Sequence, residues 1–334
     1  MAKRKTTEQK LSELDAEISS NSDAPLANLL SDYLKDRSHS VVAKAANIAA
    51  EKLCYQSLPE LLQAYARFLK NATKNDKNCI AKKAIARALY ELDYQQPTFF
   101  LAGLSYRQYE PVWGGQVDTA VDIRCVCALG LAASYYPRAM IALVQLLADA
   151  EVRARCGAVQ AIALLEPYQA EVVLRSKILQ GDEEPEVIGE CFAKLLKIEP
   201  DHSPAFVANY LQDENAAIGE HAALSLGESR LPEAFNLLVA FWQRTDRDPR
   251  LNSLLLRAIA LLRHDDAYQF LLSIIENNIA DRMAIIVIEI LAMYRYNEAL
   301  QARIRQIVDA SNDDNLMDVF KRVWLNPSAG GDGR

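Results

Sequence analysis

Glycine and proline are scarce, with 12 of each among 334 residues. So few breakers exclude a fold of many short strands and turns. No alternating Val/Thr/Tyr run is bounded by Asn-Gly or Asp-Gly, so the sequence predicts long helices and no sheet. Histidine is rarer still (His39, His202, His221, His264), and its sole adjacent pairing with glutamate is the reversed Glu220-His221. The six cysteines, Cys54, Cys79, Cys125, Cys127, Cys156 and Cys191, include no CxxC pair. No metal site is therefore predicted, and the thiols read as small buried side chains in a reducing cytoplasm. The longest apolar stretch, Met283 to Tyr294, is interrupted by Glu289 and is too short to span a bilayer. Lys3-Arg4-Lys5 has no apolar run behind it, so no secretory signal is expected. Gly-rich phosphate loops, HExxH and GxSxG are also missing; neither a cofactor nor a catalytic set can be assembled.

What is present is apolar content of 51%, enough for a core, and a sparse pattern that returns eight times. An apolar or small residue is followed by another four positions on, then by a pair at seven and eight. The first positions are Val42, Ala81, Val121, Ala154, Val187, Ile218, Leu251 and Met283, separated by 39, 40, 33, 33, 31, 33 and 32 residues. These offsets lie on one face of a helix, and a period near 32 marks an array of helical hairpins. Asp118, Asp149 and Asp213 precede pattern helices and can accept from their free N–H groups, while Glu184-Pro185 and Asp248-Pro249 place proline in a first turn. The predicted class is all-α, an α-solenoid: a superhelical array of about eight hairpins, each burying its face against its neighbours.

The predicted organisation has three parts. Residues 1–23 form a capping helix or partly disordered arm, 24–325 the solenoid, and 326–334 a disordered tail. Two insertions stretch the early spacings, NATKNDKN at 71–78 and SYRQYEPVWGGQVD at 105–118. Residues 1–94 carry 15 Lys and Arg against 12 Asp and Glu, a net +3; the rest carries −10. An acidic body argues against general nucleic-acid binding, in which phosphate neutralisation dominates affinity.

VDIRCVCALG at 121–130, AIGEHAALSLG at 217–227 and DAEVRARCGAVQAI at 149–162 resemble the HEAT-repeat superfamily. The likeness is to its shorter bacterial type, also found in phycobilisome-lyase-like repeats, and covers roughly residues 24–325. In such repeats an Asp caps the second helix, a Val-Arg-like step follows and Ala-Leu-Gly closes it. The resemblance implies fold more than function, because one fold hosts adaptors, scaffolds and a few enzymes. Related deoxyhypusine hydroxylases carry several His-Glu pairs that this chain lacks. Related DNA glycosylases need a basic concave face with aromatic and acidic residues, for which no matching constellation is found. Bilin lyase subunits match in the repeats alone.

Two groups of residues are candidates for partner contact. Tyr106, Arg107, Tyr109 and Trp113, followed by Gly114-Gly115, put interface-type side chains in one insertion. Alternatively Trp113 folds back to plug its own hairpin. Arg124, Arg153 and Arg155 stand near the starts of consecutive pattern helices. They read either as a ladder for an acidic or phosphate-bearing partner, or as ties to Asp122, Asp149 and Glu151. The expected function is a non-catalytic, cytoplasmic protein-binding scaffold or adaptor using a concave groove. The alternative is a subunit of a lyase-like or chromophore-handling enzyme complex, with a HEAT-like DNA-repair glycosylase behind it.

Overall fold

The computed structural model describes residues 5–19, 26–244, 249–277 and 282–325. The expected tail at 326–334, Asp248 and parts of the expected N-terminal arm lie outside them. The protein is an all-α α-solenoid. It divides into two compact units, Met1–Ser176 and Lys177–Arg334.

In the first unit the helices are α1 (Thr7–Ser19), α2 (Leu26–Leu34), α3 (His39–Glu51), α4 (Leu58–Leu69), α5 (Ala72–Asn75), α6 (Ile80–Glu91) and α7 (Pro97–Leu104). A hairpin of β1 (Tyr109–Val112) and β2 (Gly115–Asp118) follows, then α8 (Val121–Ala133), α9 (Ala139–Leu146) and α10 (Val152–Ile162). The division falls within α11 (Pro167–Gln180). The pattern helices α3, α6, α8 and α10 pack one on the next, and α2, α4, α7 and α9 back them in turn. α1 packs on α3 with Leu14 buried, and pairs Asp15 with Lys44 and Lys10 with Asp36.

The second unit repeats the arrangement. Its members are α12 (Pro185–Ile198), α13 (Ser203–Ala208), α14 (Ala216–Ser229), α15 (Pro232–Arg244), α16 (Pro249–Leu261), α17 (Asp265–Asn277), α18 (Arg282–Leu291), α19 (Glu298–Ser311) and α20 (Asp314–Phe320). Here α12, α14, α16 and α18 pack one on the next and α13, α15 and α17 back them, with α20 against α18. Small pattern residues allow close approach: a Cβ on Gly189 would lie 2.5 Å from the His221 ring of the adjoining helix.

Five of the pattern helices, α3, α8, α10, α12 and α14, start from the same device. A carboxylate two residues ahead of the helix cap accepts that cap residue's backbone N–H, an Asx turn that fixes the entry angle. Asp36 does so for Ser38, Asp118 for Ala120, Asp149 for Glu151, Asp182 for Glu184 and Asp213 for Asn215, at 2.7–2.9 Å. Asn215 then accepts from Ala217 N at 3.1 Å. The aspartates expected to cap therefore do accept N–H groups, one step earlier than the helix proper.

Counting from these aspartates corrects the third unit. In α8 the buried face is Ile123, Cys127, Gly130 and Leu131, not Val121, Cys125 and Leu129, which are half-buried. Its pattern starts at Ile123, 42 residues after Ala81 and 31 before Ala154. Cys191 and Cys127 are buried as expected; Cys125 instead lies half-exposed against the next helix, where a Cβ on Gly157 would come within 3.0 Å of it.

The expectation of no sheet is also corrected. The 105–118 insertion holds a two-stranded antiparallel hairpin that pairs Tyr109 with Asp118 and Val112 with Gly115. Gly114 takes φ +87° at the second corner of its Trp113-Gly114 turn, where a turn of this kind needs glycine. The sequence cue was Gly-Gly rather than Asn-Gly, and one four-residue strand is too short to show alternation.

Candidate functional site

The two insertions, 34 residues apart in sequence, clasp each other in space. Asn78 N donates to Glu110 Oε1 at 2.7 Å, and Gln108 Nε2 donates to Asp76 O at 2.9 Å and to Glu110 Oε1 at 2.7 Å. Thr119 Oγ1 donates to Glu110 at 2.9 Å, and Cys79 Sγ lies 3.4 Å from the same hydroxyl. Asn71, Asn78 and Cys79 adopt left-handed backbone conformations (φ 50–58°). Asn tolerates this region and Cys does not favour it, so the clasp helps hold the bend that brings Asp76 under α6. Asp76 accepts from Ala81 N at 2.8 Å and Lys82 N at 3.0 Å, which caps that helix.

Beneath the clasp lies a row of buried charges. Lys82 Nζ meets Asp76 Oδ2 at 2.8 Å with neither side chain exposed, and the ammonium stands 5.8 Å from the Tyr106 ring centroid. One unit on, Arg124, with no accessible surface, donates from Nη1 to Asp118 Oδ2 at 2.6 Å and to Tyr106 O at 3.0 Å. Its Nη2 donates to Asp149 Oδ1 at 3.2 Å, while Nε sits 3.1 Å from Oδ2 off the line of a hydrogen bond. Arg107 closes over the same Asp149 carboxylate. Arg155 Nη1 donates to the carbonyls of Asp149 and Ala150.

The expected site residues thus separate. Tyr106, Arg107, Arg124 and Arg155 meet at the foot of the hairpin; Tyr109 opens β1 opposite Asp118 with its ring half-exposed, and Trp113 stands at the turn. The surface-ladder reading of the arginines is corrected for Arg124, whose guanidinium is consumed by two capping aspartates. The Arg153 side chain, at the start of α10, is 70% exposed and pairs with Asp122 at 2.6 Å. Asp122 also holds Lys83. Trp113 does not fold back: it is fully exposed, and Tyr109, Val112 and Val117 are about half-exposed along the same hairpin.

Asp76, Lys82, Gln108, Glu110 and Thr119 escaped the sequence reading. One signal was available, since Asp76–Lys82 and Asp118–Arg124 share a six-residue spacing.

Burial works against ionising Asp118, yet the N–H groups of Ala120 and Gln108 and the Arg124 guanidinium outweigh it and hold the carboxyl below its usual range. Glu110 follows the same logic: burial opposes, while Gln108, Thr119, Asn78 N and Lys77 lower it. Burial pushes the Cys79 thiol up to about 11, so it is no nucleophile at neutral pH. Both carboxylates are depressed in the folded state, so their stabilisation is complete above the unfolded range. It is lost as pH falls below about 4. Urea titrations between pH 7 and pH 3 are expected to show the fall. Asp118→Asn combined with Glu110→Gln should flatten it; an equally steep fall in that variant would assign acid lability elsewhere.

Among the described residues no helix is long and apolar enough to cross a membrane, and no group of three His, Cys, Asp or Glu is placed to hold a metal ion. Fold and site together define a helical-repeat protein whose two interruptions build one braced, aromatic-tipped hairpin. No protein-family model matches the chain, and no curated protein matches it. Among solved structures it is similar to the complex of CpcE and CpcF of phycocyanin lyase from Nostoc sp. PCC7120. The likeness is at 14% identity and a TM-score of 0.34, over 72% of this chain and 92% of that one.

Proposed function

We propose that this protein is a non-catalytic, protein-binding scaffold of HEAT-like hairpins working in the cytoplasm, and that the outer part of the 109–117 hairpin is its contact. The observation that carries the reading is Trp113, which is fully exposed on a turn whose foot is braced by buried ion pairs. Exposing an indole forgoes about 2–3 kcal/mol of burial, and a fold gains nothing from bracing it there. A rigid aromatic presented this way loses little conformational entropy on binding. The arginine ladder contributes less to the reading, because Arg124 is committed internally.

Affinity purification from the native host with mass spectrometry tests this. Tyr109→Ala with Trp113→Ala is expected to lose the principal co-purifying protein while the melting temperature holds within about 2 °C, as for exposed substitutions. An unchanged partner set, with stability falling instead, would overturn the hairpin's role.

A second reading is membership of a lyase-like or chromophore-handling complex; the likeness to the phycocyanin lyase complex, at a TM-score of 0.34, carries no argument for either reading. The two differ in one observable. Visible absorption in protein purified from its native host would favour the second, and a colourless protein with a bound partner the first.

A further inference from the structure

The hairpin has two edges, and they are not equivalent. Thr119 N donates to Gln108 O at 2.9 Å, so the backbone of that pair faces inward, although Gln108 N turns to Asp118 Oδ1 at 3.1 Å. Alternation then makes Glu110–Val117 a bonded pair and turns the backbone groups of Pro111 and Gln116 outward, away from the partner strand. On the outer edge of β1 the position is proline, which has no N–H to offer and closes that edge to pairing. On the outer edge of β2 the position is Gln116, exposed, with its N–H and C=O facing solvent between Gly115 and Val117. Val112, Val117 and Trp113 give that end an apolar surface. The segment clasped to the hairpin supplies charge of one sign: Lys70, Lys74 and Lys77 are exposed and form no ion pair among the described residues, and Lys77 lies near enough to Glu110 to favour its ionised form.

We infer that β2 is a docking edge for an extended acidic segment of a partner protein, which adds as a third strand through Gln116 and lays alternate apolar side chains on Val112, Val117 and Trp113. This rests on the binding reading above and names its mode. Strand addition takes affinity from main-chain bonds and specificity from alternate side chains. Charge selects the occupant. A second copy would bring its own Lys70, Lys74 and Lys77 against these, and a four-residue edge falls far short of the roughly 800 Å² per partner of a stable dimer. An acidic segment meets the lysines with opposite sign.

The probe is a displayed library of random linear dodecapeptides, panned on the full-length chain, with enriched peptides resynthesised for fluorescence anisotropy. The expected peptides carry β-branched residues at alternate positions together with Asp or Glu. Gln116→Pro removes only an outward N–H, as Pro111 already does on the other edge, and is expected to weaken binding about tenfold. Gln116→Ala keeps the N–H and should bind within about twofold. Lys74→Glu with Lys77→Glu should weaken binding at low salt and lose that effect at high salt. Circular dichroism confirms that each variant is folded. Peptides that need Trp113 yet bind Gln116→Pro as well as wild type would overturn strand addition and leave the binding role standing. Peptides indifferent to both substitutions, or no enrichment at all, would overturn both. Dimerisation in sedimentation equilibrium that Gln116→Pro abolishes, without peptide binding, would make a second copy the occupant and overturn the peptide.

Discussion

Arg124→Ala is expected to cost about 3–5 kcal/mol in urea unfolding, the range for removing one partner of a buried ion pair. The cost does not come from losing an attraction alone. Asp118 and Asp149 are 2% and 1% exposed at the side chain, and the fork of Arg124 is what compensates both. Without it, two carboxylates stay buried close together, and each is also the Asx-turn acceptor that starts a pattern helix. Tyr106 O loses a donor as well, so the hairpin foot loosens in the same step. Arg124→Lys separates charge from geometry. A single ammonium cannot serve both carboxylates in the fork's arrangement, so this variant should fall between wild type and alanine. Arg153→Ala is the control: its own side chain is largely exposed and Asp122 keeps Lys83 as a partner, so stability should change little. An Arg124→Ala protein within about 1 kcal/mol of wild type would mean that Arg107, which reaches both aspartates, is compensation enough.

Most of the fold could be read from the chain because the hairpin array is a local code. A 3.6-residue face, a recurring small residue and an Asp before each helix are all visible within one repeat, and Val187, Cys191 and Leu195 are buried where the pattern put them. The third unit was misphased for an equally physical reason. VDIRCVCALG is apolar on two faces, so Val121 and Ile123 are both acceptable starts by periodicity. Only the position of Asp118, and the inward turn of Arg124 that it enforces, selects Ile123. The site was harder to read because it is made of long-range pairs. Asn78 with Glu110 and Gln108 with Asp76 each join residues 32 apart, across two segments that looked like unrelated interruptions. Charged residues in an insertion usually read as solvated. Nothing local to Lys82, set beside exposed Lys83, announces that one is fully buried and the other is not. Trp113 posed the opposite problem: composition marked it as important but was silent on whether it pointed in or out.

Asp76→Ala is expected to cost as much as Arg124→Ala, about 3–5 kcal/mol, and to do so by a distinguishable route. The carboxylate holds three roles: it compensates the wholly buried Lys82 ammonium and accepts the N–H groups of Ala81 and Lys82 at the start of α6. Losing a helix cap accounts for about 1 kcal/mol of the total. The remainder is the penalty for leaving an ammonium in an apolar interior, with Phe68 O at 3.5 Å as its other polar neighbour. That portion can be relieved without restoring the carboxylate. Lys82→Met keeps the length of the side chain and removes the charge, so Asp76→Ala with Lys82→Met should be more stable than Asp76→Ala alone. Lys82→Met by itself should be milder than Asp76→Ala, because the remaining carboxylate still caps α6 with two N–H donors. A double-mutant cycle in urea measures the coupling. If the double variant is no better than Asp76→Ala, the buried charge is not what the aspartate compensates, and the loss belongs to the cap and the left-handed bend at Asn78 and Cys79. The cycle also bears on binding. Asp76 O receives Gln108 of the hairpin, so destabilisation that leaves hairpin contacts intact would show that the clasp and the ion pair hold the braced strand independently.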